Sequence, residues 1–389
     1  YTCVQTITRT QYRPQYGGNR PNSCPALIQE RAALPSPGRL IWHDRLRFDV
    51  AVGDKGEMFS WAGAREFESN DLASIALSGS TGSGDFAAFL SSVFGAEGEQ
   101  FHYLGVKDTP FGLLSSFDFK VPVARSHYTY RTEGKPAKIG GYEGSFYAAP
   151  ENGELKRLII EARDFAAEDD FCHVTDTMDY AYLKIGAGDF LLPSRAGMTV
   201  LYRNGEESQN EKRYSNCREF TGTSTLIFDD PAETDPRSEQ TKTALKALPP
   251  KTRVRVRIDP PISTETAAAG DTITGVVERD VHQKGQVLVH TTDKLRGRIL
   301  RLEQFMVPEP RWIVAIRFEA IERDGIEQPM IFAPLDDGDR TRLPRTSRRG
   351  QAQPVIPERP RGAGVFVFSD LGRLVLDQKF HSEWETRQH

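Results

Sequence analysis

The chain has 389 residues, 38% of them apolar and 27% charged, with a formal net charge of -4 at pH 7. That length leaves room for two or three domains with a substantial core, and the negative balance argues against a general nucleic-acid binder, which would be basic. No stretch approaches the roughly 18 uncharged apolar residues of a membrane-spanning helix.

Tyr1 to Arg13, rich in Thr, Tyr and Val, reads as a strand followed by a Pro-containing loop around Cys24. Arg39 to Trp61 reads as a hairpin. Leu46, Phe48, Val50 and Val52 alternate with Arg45, Arg47, Asp49 and Ala51, and the turn is Gly53-Asp54-Lys55-Gly56. Glu66 to Leu77 reads as a short helical segment. Ser83 to Gly95 is the clearest helix signal: Phe86, Phe89, Leu90, Val93 and Phe94 recur at helical period. Ser83 or Asp85 is the expected cap and Gly95 the expected left-handed stop. The other face carries only Ala87, Ala88, Ser91 and Ser92, a composition unsuited to open solvent. The helix is therefore expected to plug a curved sheet, with Phe86, Phe89, Leu90, Val93 and Phe94 lining a cavity for an apolar ligand.

Strands are then expected at Phe101–Val106, Ser116–Val121, around Tyr128 and Tyr130, at Gly141–Ala148, Leu155–Ala162, His173–Leu183, Met198–Tyr202 and Lys212–Phe228. Tight turns such as Asn204-Gly205 separate them. Short strands, tight turns and few crossover helices indicate an antiparallel meander.

The segments Tyr142-Glu143-Gly144-Ser145-Phe146, Glu154-Leu155-Lys156-Arg157-Leu158, Phe190-Leu191-Leu192-Pro193-Ser194-Arg195 and Tyr214-Ser215-Asn216-Cys217-Arg218-Glu219-Phe220 carry a resemblance. From about residue 44 to 228 the chain resembles the LolA/LolB-like lipoprotein-carrier superfold of exported bacterial proteins. The resemblance implies a mainly β fold, a curved antiparallel half-barrel with a helix plug, holding an acyl chain or another apolar moiety without catalytic residues.

Asp229 to Pro250 changes composition sharply and reads as a linker. Beyond it Val254, Val256 and Ile258 alternate with Arg253, Arg255 and Arg257, and Trp312, Val314, Ile316 and Phe318 mark the clearest strand. The run Ile262-Ser263-Thr264-Glu265-Thr266-Ala267-Ala268-Ala269-Gly270-Asp271, with the later Gly297-Arg298-Ile299, is similar to a small β-barrel module of TrbI-type exported scaffolds. It departs from that pattern at His290–Lys294, where a Pro-x-Gly turn is expected. Asp336 to Gly364 holds seven Arg and four Pro and reads as a second linker. The expected layout is thus 1–229 carrier-like domain, 230–250 linker, 251–336 small β-barrel domain and 337–364 Arg/Pro-rich linker. Residues 365–389 form a β segment that docks on a domain or a neighbour.

The cysteines Cys3, Cys24, Cys172 and Cys217 form no C-x-x-C pair, which disfavours zinc or redox motifs. Two disulfides in sequence order, Cys3–Cys24 and Cys172–Cys217, are the economical expectation. They place the protein in an oxidising compartment, as does a chain that begins at Tyr1 rather than Met. Gly79-Ser-Thr-Gly-Ser-Gly84 has the glycine spacing of a phosphate loop, but Asp85 follows where that loop carries Lys. The eight histidines never fall at metal spacing, and no Gly-x-Ser-x-Gly elbow occurs. No catalytic residue, metal or cofactor is therefore expected. The expected role is a non-enzymatic bacterial envelope protein, in the periplasm, at the outer-membrane periphery or outside the cell. Its expected partners are an apolar ligand or lipid, and envelope proteins or a second copy through the C-terminal segment, not nucleic acid. The alternative is a structural or assembly component with no ligand cavity.

Overall fold

The computed structural model describes residues 1–17, 20–53, 56–76, 79–95, 101–132, 135–219, 248–335, 360, 362–369 and 372–387. Most of the two linkers expected at 230–250 and 337–364 therefore lies outside the described residues. The chain divides into two compact units: Tyr1–Glu219 with Glu303–Pro310, and Phe220–Leu302 with Arg311–His389. It is mainly β and antiparallel, with few helices.

Unit 1 holds β1 (Thr2–Arg13), α1 (Cys24–Ala33), β2 (Arg39–Gly53), β3 (Gly56–Trp61), α2 (Leu72–Ile75), α3 (Ala88–Phe94), β4 (His102–Thr109) and β5 (Gly112–Val121). The short β6 (Thr129–Tyr130) and β7 (Lys138–Ile139) pair with each other. Then come β8 (Tyr142–Ala148), β9 (Leu155–Ala162), β10 (Phe171–Ile185), β11 (Gly188–Tyr202) and β12 (Glu207–Arg218). The sheet runs β4-β5-β8-β9-β10-β11-β12-β1-β2-β3, antiparallel throughout. It is a meander with one non-local step: β1 lies between β12 and β2. Residues Glu303–Phe305 pair with the early part of β2 beside β3. Pro193 within β11 donates nothing to the ladder, and the register shifts there, where Pro193 opposes Tyr180 and Arg195 opposes Asp179.

That single insertion overturns the expected disulfides. The bonds are Cys3–Cys217 and Cys24–Cys172, not Cys3–Cys24 and Cys172–Cys217. Because β1 pairs with β12, Thr2 opposes Arg218 and Cys3 meets Cys217. Cys24 opens α1 and meets Cys172 of β10, and Leu27, Cys172 and Leu201 form a small core there. The segment expected as a loop around Cys24 is this helix, with Pro25 in its first turn.

The expected helix Ser83–Gly95 is shorter in the structure. α3 begins after Ala87, with no side-chain cap, and Gly95 has φ -66 rather than a left-handed value. Ser83 and Asp85 do not cap it. The preceding segment is held by polar partners described below, and Asp85–Ala87 form a turn in which the Phe89 N–H donates to the Gly84 carbonyl.

Unit 2 holds β13 (Arg253–Ile258), β14 (Ile262–Ser263), β15 (Thr272–Val277), β16 (Val281–Gln283), β17 (Gln286–Val289), β18 (Lys294–Phe305), β19 (Arg311–Arg323), β20 (Ile326–Pro329), β21 (Ile331–Pro334), β22 (Gly364–Phe368), β23 (Val375–Leu376) and β24 (His381–Arg387). Its pairings run β18-β15-β13-β24-β21 and β22-β19-β20, with β14–β23 and β16–β17 apart. Alternation puts Val254, Val256, Ile258, Val314, Ile316 and Phe318 into one core with Phe332 and Trp384. The C-terminal segment, expected to dock on its own chain or a neighbour, pairs within unit 2: β24 lies between β13 and β21.

Candidate functional site

The inner face of the unit 1 sheet is set by strand parity. On β1 that face carries Cys3, Gln5, Ile7 and Arg9, and on β2 Asp44, Leu46, Phe48 and Val50. Ladder register carries the row Asp44, Arg9, Asn210, Met198, Asp176 and Ile160 across the strands. The adjacent row includes Ile7, Lys212, Ala196, Met178 and Leu158. One half of the inner face, on β1, β2, β10, β11 and β12, therefore sets buried polar side chains among apolar ones such as Ile7, Leu46, Ala196 and Met198. The other half, on β5, β8 and β9, is an apolar core of Phe119, Val121, Tyr142, Phe146, Leu158 and Ile160.

A single covalent segment crosses both halves. Its first part, Gly79–Phe86, lies on the polar half. The Ser80 carbonyl accepts from Arg9 and Asn210, and the Ser80 and Ser208 hydroxyls pair at 2.6 Å. Lys212 Nζ donates to the Gly82 carbonyl at 2.9 Å and to Asp85 Oδ2 at 2.6 Å. Tyr214 donates to the same carboxylate oxygen, and Tyr180 to the Asp85 carbonyl. The backbone N–H groups of Gly84 and Phe86 donate to the Glu57 carboxylate at 2.8 and 3.0 Å. At Gly82 an added Cβ would stand 2.8 Å from Met198 Sδ, so the Met198 side chain would have to shift. Beside this array Arg9 and Asp44 form a fork-on-fork pair, both side chains 2% exposed or less, with the guanidinium over Trp42.

The charges of this half do not balance. Three carboxylates, Glu57, Asp85 and Asp176, surround one lysine. Burial pushes Asp176 up to about 7, with Asp85 adding to the rise and Lys212 opposing it. Burial first, then Asp85, also raises Glu57. For Lys212 burial works against the charge, but Asp85 and Asp176 outweigh it and its pKa rises. Asp85 Oδ1 is buried and has no hydrogen-bond partner among the described residues.

The second part of the segment, α3, lies on the apolar half. The five residues expected to line one cavity are divided between settings. Phe89 and Val93 belong to the packed core, and Leu90 packs against it partly buried. Phe86 lies outside the helix against Tyr214 and Tyr1, 3% exposed. Phe94 is 41% exposed at the end of α3.

Phe94 belongs to an aromatic shelf that runs out to β4, which among the described residues pairs only with β5. Its ring meets Phe101 at 5.7 Å and Phe146 at 5.0 Å, Phe101 meets Phe146 at 5.0 Å, and Phe117 stacks on Phe146 at 4.8 Å. Tyr103 opposes Phe117 on the outer strand β4, ring to ring at 5.3 Å. Leu113, two positions apart from Ser115 and four from Phe117, shares that face, as does Val106, which opposes Ser115. Tyr103, Val106 and Leu113 are more than half exposed. On the opposite face a recess of about 160 Å³ is lined by Phe111, Leu114, Tyr147 and Arg157 among others. Arg157 there lies over Phe111 and pairs with Asp179, so its charge is already answered.

Sequence reasoning found Phe94 and missed the shelf, because nothing in the sequence sets the register that brings Phe101 and Tyr103 of one expected strand beside Phe117 and Phe146 of two others. It also missed Arg9, Asp44, Asp176 and Lys212. Parity with Cys3 and Ile7 places Arg9 inward, but Glu207–Lys212 contains no apolar residue to set a parity.

Among the described residues no group of three or more His, Cys, Asp or Glu has the geometry to hold a metal ion. No family model matches the chain, and no curated protein matches it. Two solved structures do. A LolA-superfamily protein from Nitrosomonas europaea is 10% identical, with a TM-score of 0.22, 55% of this chain covered and 84% of that one. A domain from Vibrio parahaemolyticus, described with outer membrane lipoprotein-sorting proteins, is 11% identical, with a TM-score of 0.24 and coverage of 55% and 86%. At TM-scores this low the likeness decides neither topology nor function, and the geometry stands by itself.

Proposed function

We propose that unit 1 is a non-enzymatic binding domain of an exported bacterial envelope protein, and that it takes an apolar ligand such as an acyl chain on the aromatic shelf. The observation that carries this is the exposure of Phe94, Phe101, Tyr103, Val106 and Leu113, all 40% exposed or more on one face beside the outer strand β4. Contiguous exposed apolar surface costs free energy in water, about 25 cal/mol for each Å² left uncovered, and marks contact sites. Ring centroids 4.8 to 5.7 Å apart give an acyl chain flat apolar walls, with Asp108 and Ser115 on the same face at its outer end. The two disulfides support an oxidising compartment. Unit 2, read as a small β-barrel module of the TrbI type, adds structure and no second site to this reading.

The test is titration with a fluorescent fatty-acid probe. The wild type should bind saturably, and Tyr103→Glu and Phe101→Glu should weaken binding at least tenfold while leaving the melting temperature within a few degrees. Equal binding by wild type and variants, or none by the wild type, removes the reading. The second reading, an assembly component, draws on the closed packing of Phe89 and Val93. On that reading the shelf is a protein contact, the probe does not bind, and the same variants alter sedimentation instead.

A further inference from the structure

We propose that Gly79–Phe94 is a strap closed by a proton: one proton held by Asp176 or Glu57, beside the Asp85–Lys212 pair, keeps it on the inner face, and loss of that proton loosens it. The geometry sets the requirement. The strap's polar part is fixed by Lys212, Tyr214, Tyr180, Asn210, Arg9 and Glu57, and the carboxylate of Asp85 on the strap is the centre of that array. Three ionised carboxylates against one ammonium would bury a net charge of -2, and uncompensated buried charge costs several kcal/mol. A retained proton removes one of those charges.

The groups facing the cluster come from every neighbouring element. They are Lys212 and Tyr214 from β12, Asp176 and Tyr180 from β10, Glu57 from β3, Tyr128 from the segment before β6, Tyr1 from the chain start, and the Arg9–Asp44 pair from β1 and β2. Arg9 is already matched by Asp44, and the tyrosines stay neutral because burial raises them. The proton therefore belongs to the carboxylates.

The sign follows from linkage. Asp176, raised to about 7 in the closed form, returns to roughly 4 when opening exposes it. The closed form holds the proton between those values, so acid favours closure and rising pH favours opening, with no further change above about 7. The strap ends in Phe94 on the shelf, so its loosening would alter the proposed binding surface. That consequence rests on the shelf reading, but the strap itself does not.

Hydrogen exchange of the full chain, read at Gly84, Phe86 and Ser91 and corrected for intrinsic rates, tests it without ligand. Protection should fall by up to roughly tenfold per pH unit between pH 5 and 7 and level off above. These amides should exchange ahead of those of β12 at pH 8. The double variant Asp176→Asn/Glu57→Gln should abolish the slope. A flat wild-type profile, a slope retained in the double variant, or exchange of the strap only together with β12 overturns the proposal. A shelf that binds no probe leaves it standing.

Discussion

Arg9 and Asp176 show two ways in which this sheet keeps charge inside. Arg9 is answered by Asp44, which accepts both ends of its guanidinium fork, so removal of the cation strands a buried carboxylate. Arg9→Met should destabilise unit 1 by about 3–5 kcal/mol in chemical denaturation, and Asp44→Asn with Arg9→Met should recover part of that loss. Asp176 is answered only in part, and its raised pKa makes the proton a component of the fold. Because the folded carboxyl holds its proton up to about 7 and the unfolded one only to roughly 4, stability should fall as pH rises through that window, by about 1.4 kcal/mol per unit at most. Asp176→Asn should raise the melting temperature at pH 8 and flatten its pH dependence; a variant less stable at pH 8 than the wild type refutes the assignment. These residues were easily missed in the sequence. A charged residue in an alternating strand reads as solvent-facing, although Arg9, Asp44 and Asp176 share parity with apolar neighbours (Ile7; Leu46 and Phe48; Val174 and Met178) that contradict it, and Lys212 does not.

Elements with a local signal were read correctly, and those whose form depends on distant partners were not. The alternation in Arg39–Trp61 gave β2 and β3, and Phe117, Phe119 and Val121 gave the inner face of β5. The helix at 83–95 carried a valid apolar stripe, yet residues 85–87 form a turn and the helix starts only at Ala88, the segment before it being held by Glu57, Lys212 and Tyr214 from distant strands. The cysteine pairing failed for the same reason. Nearness in sequence orders the bonds one way, while insertion of β1 between β12 and β2 orders them another. Each bond closes a loop long enough to constrain the unfolded chain by about 5 kcal/mol on loop-closure entropy, less for whichever closes second inside the first. Peptide mapping without reduction should yield Cys3 joined to Cys217 and Cys24 joined to Cys172. A Cys3–Cys24 peptide would be incompatible with the β1–β12 ladder.

At the scale of the whole molecule, alternation and turn chemistry were enough for a mainly β chain, but they could not assign Glu303–Pro310 to unit 1. That step depends on backbone pairing of Glu303–Phe305 with Trp42–Asp44, across some 260 residues, and leaves no local mark. The C-terminal strand is the opposite case, since its Phe380 and Trp384 are visible as anchors. Trp384 is fully buried, packed edge-on to Phe318 at 5.0 Å, and its strand β24 occupies the place between β13 and β21. Removing it costs the ring and also leaves two strand edges with unpaired donors and acceptors. Trp384→Ala should therefore lower the stability of unit 2 by about 3–5 kcal/mol. Truncation after Asp339, which also removes β22 and β23, should abolish the calorimetric transition of unit 2 while that of unit 1 persists. If both transitions survive truncation unchanged, β24 is not part of the unit 2 core, and the ladder between β13 and β21 must form by itself.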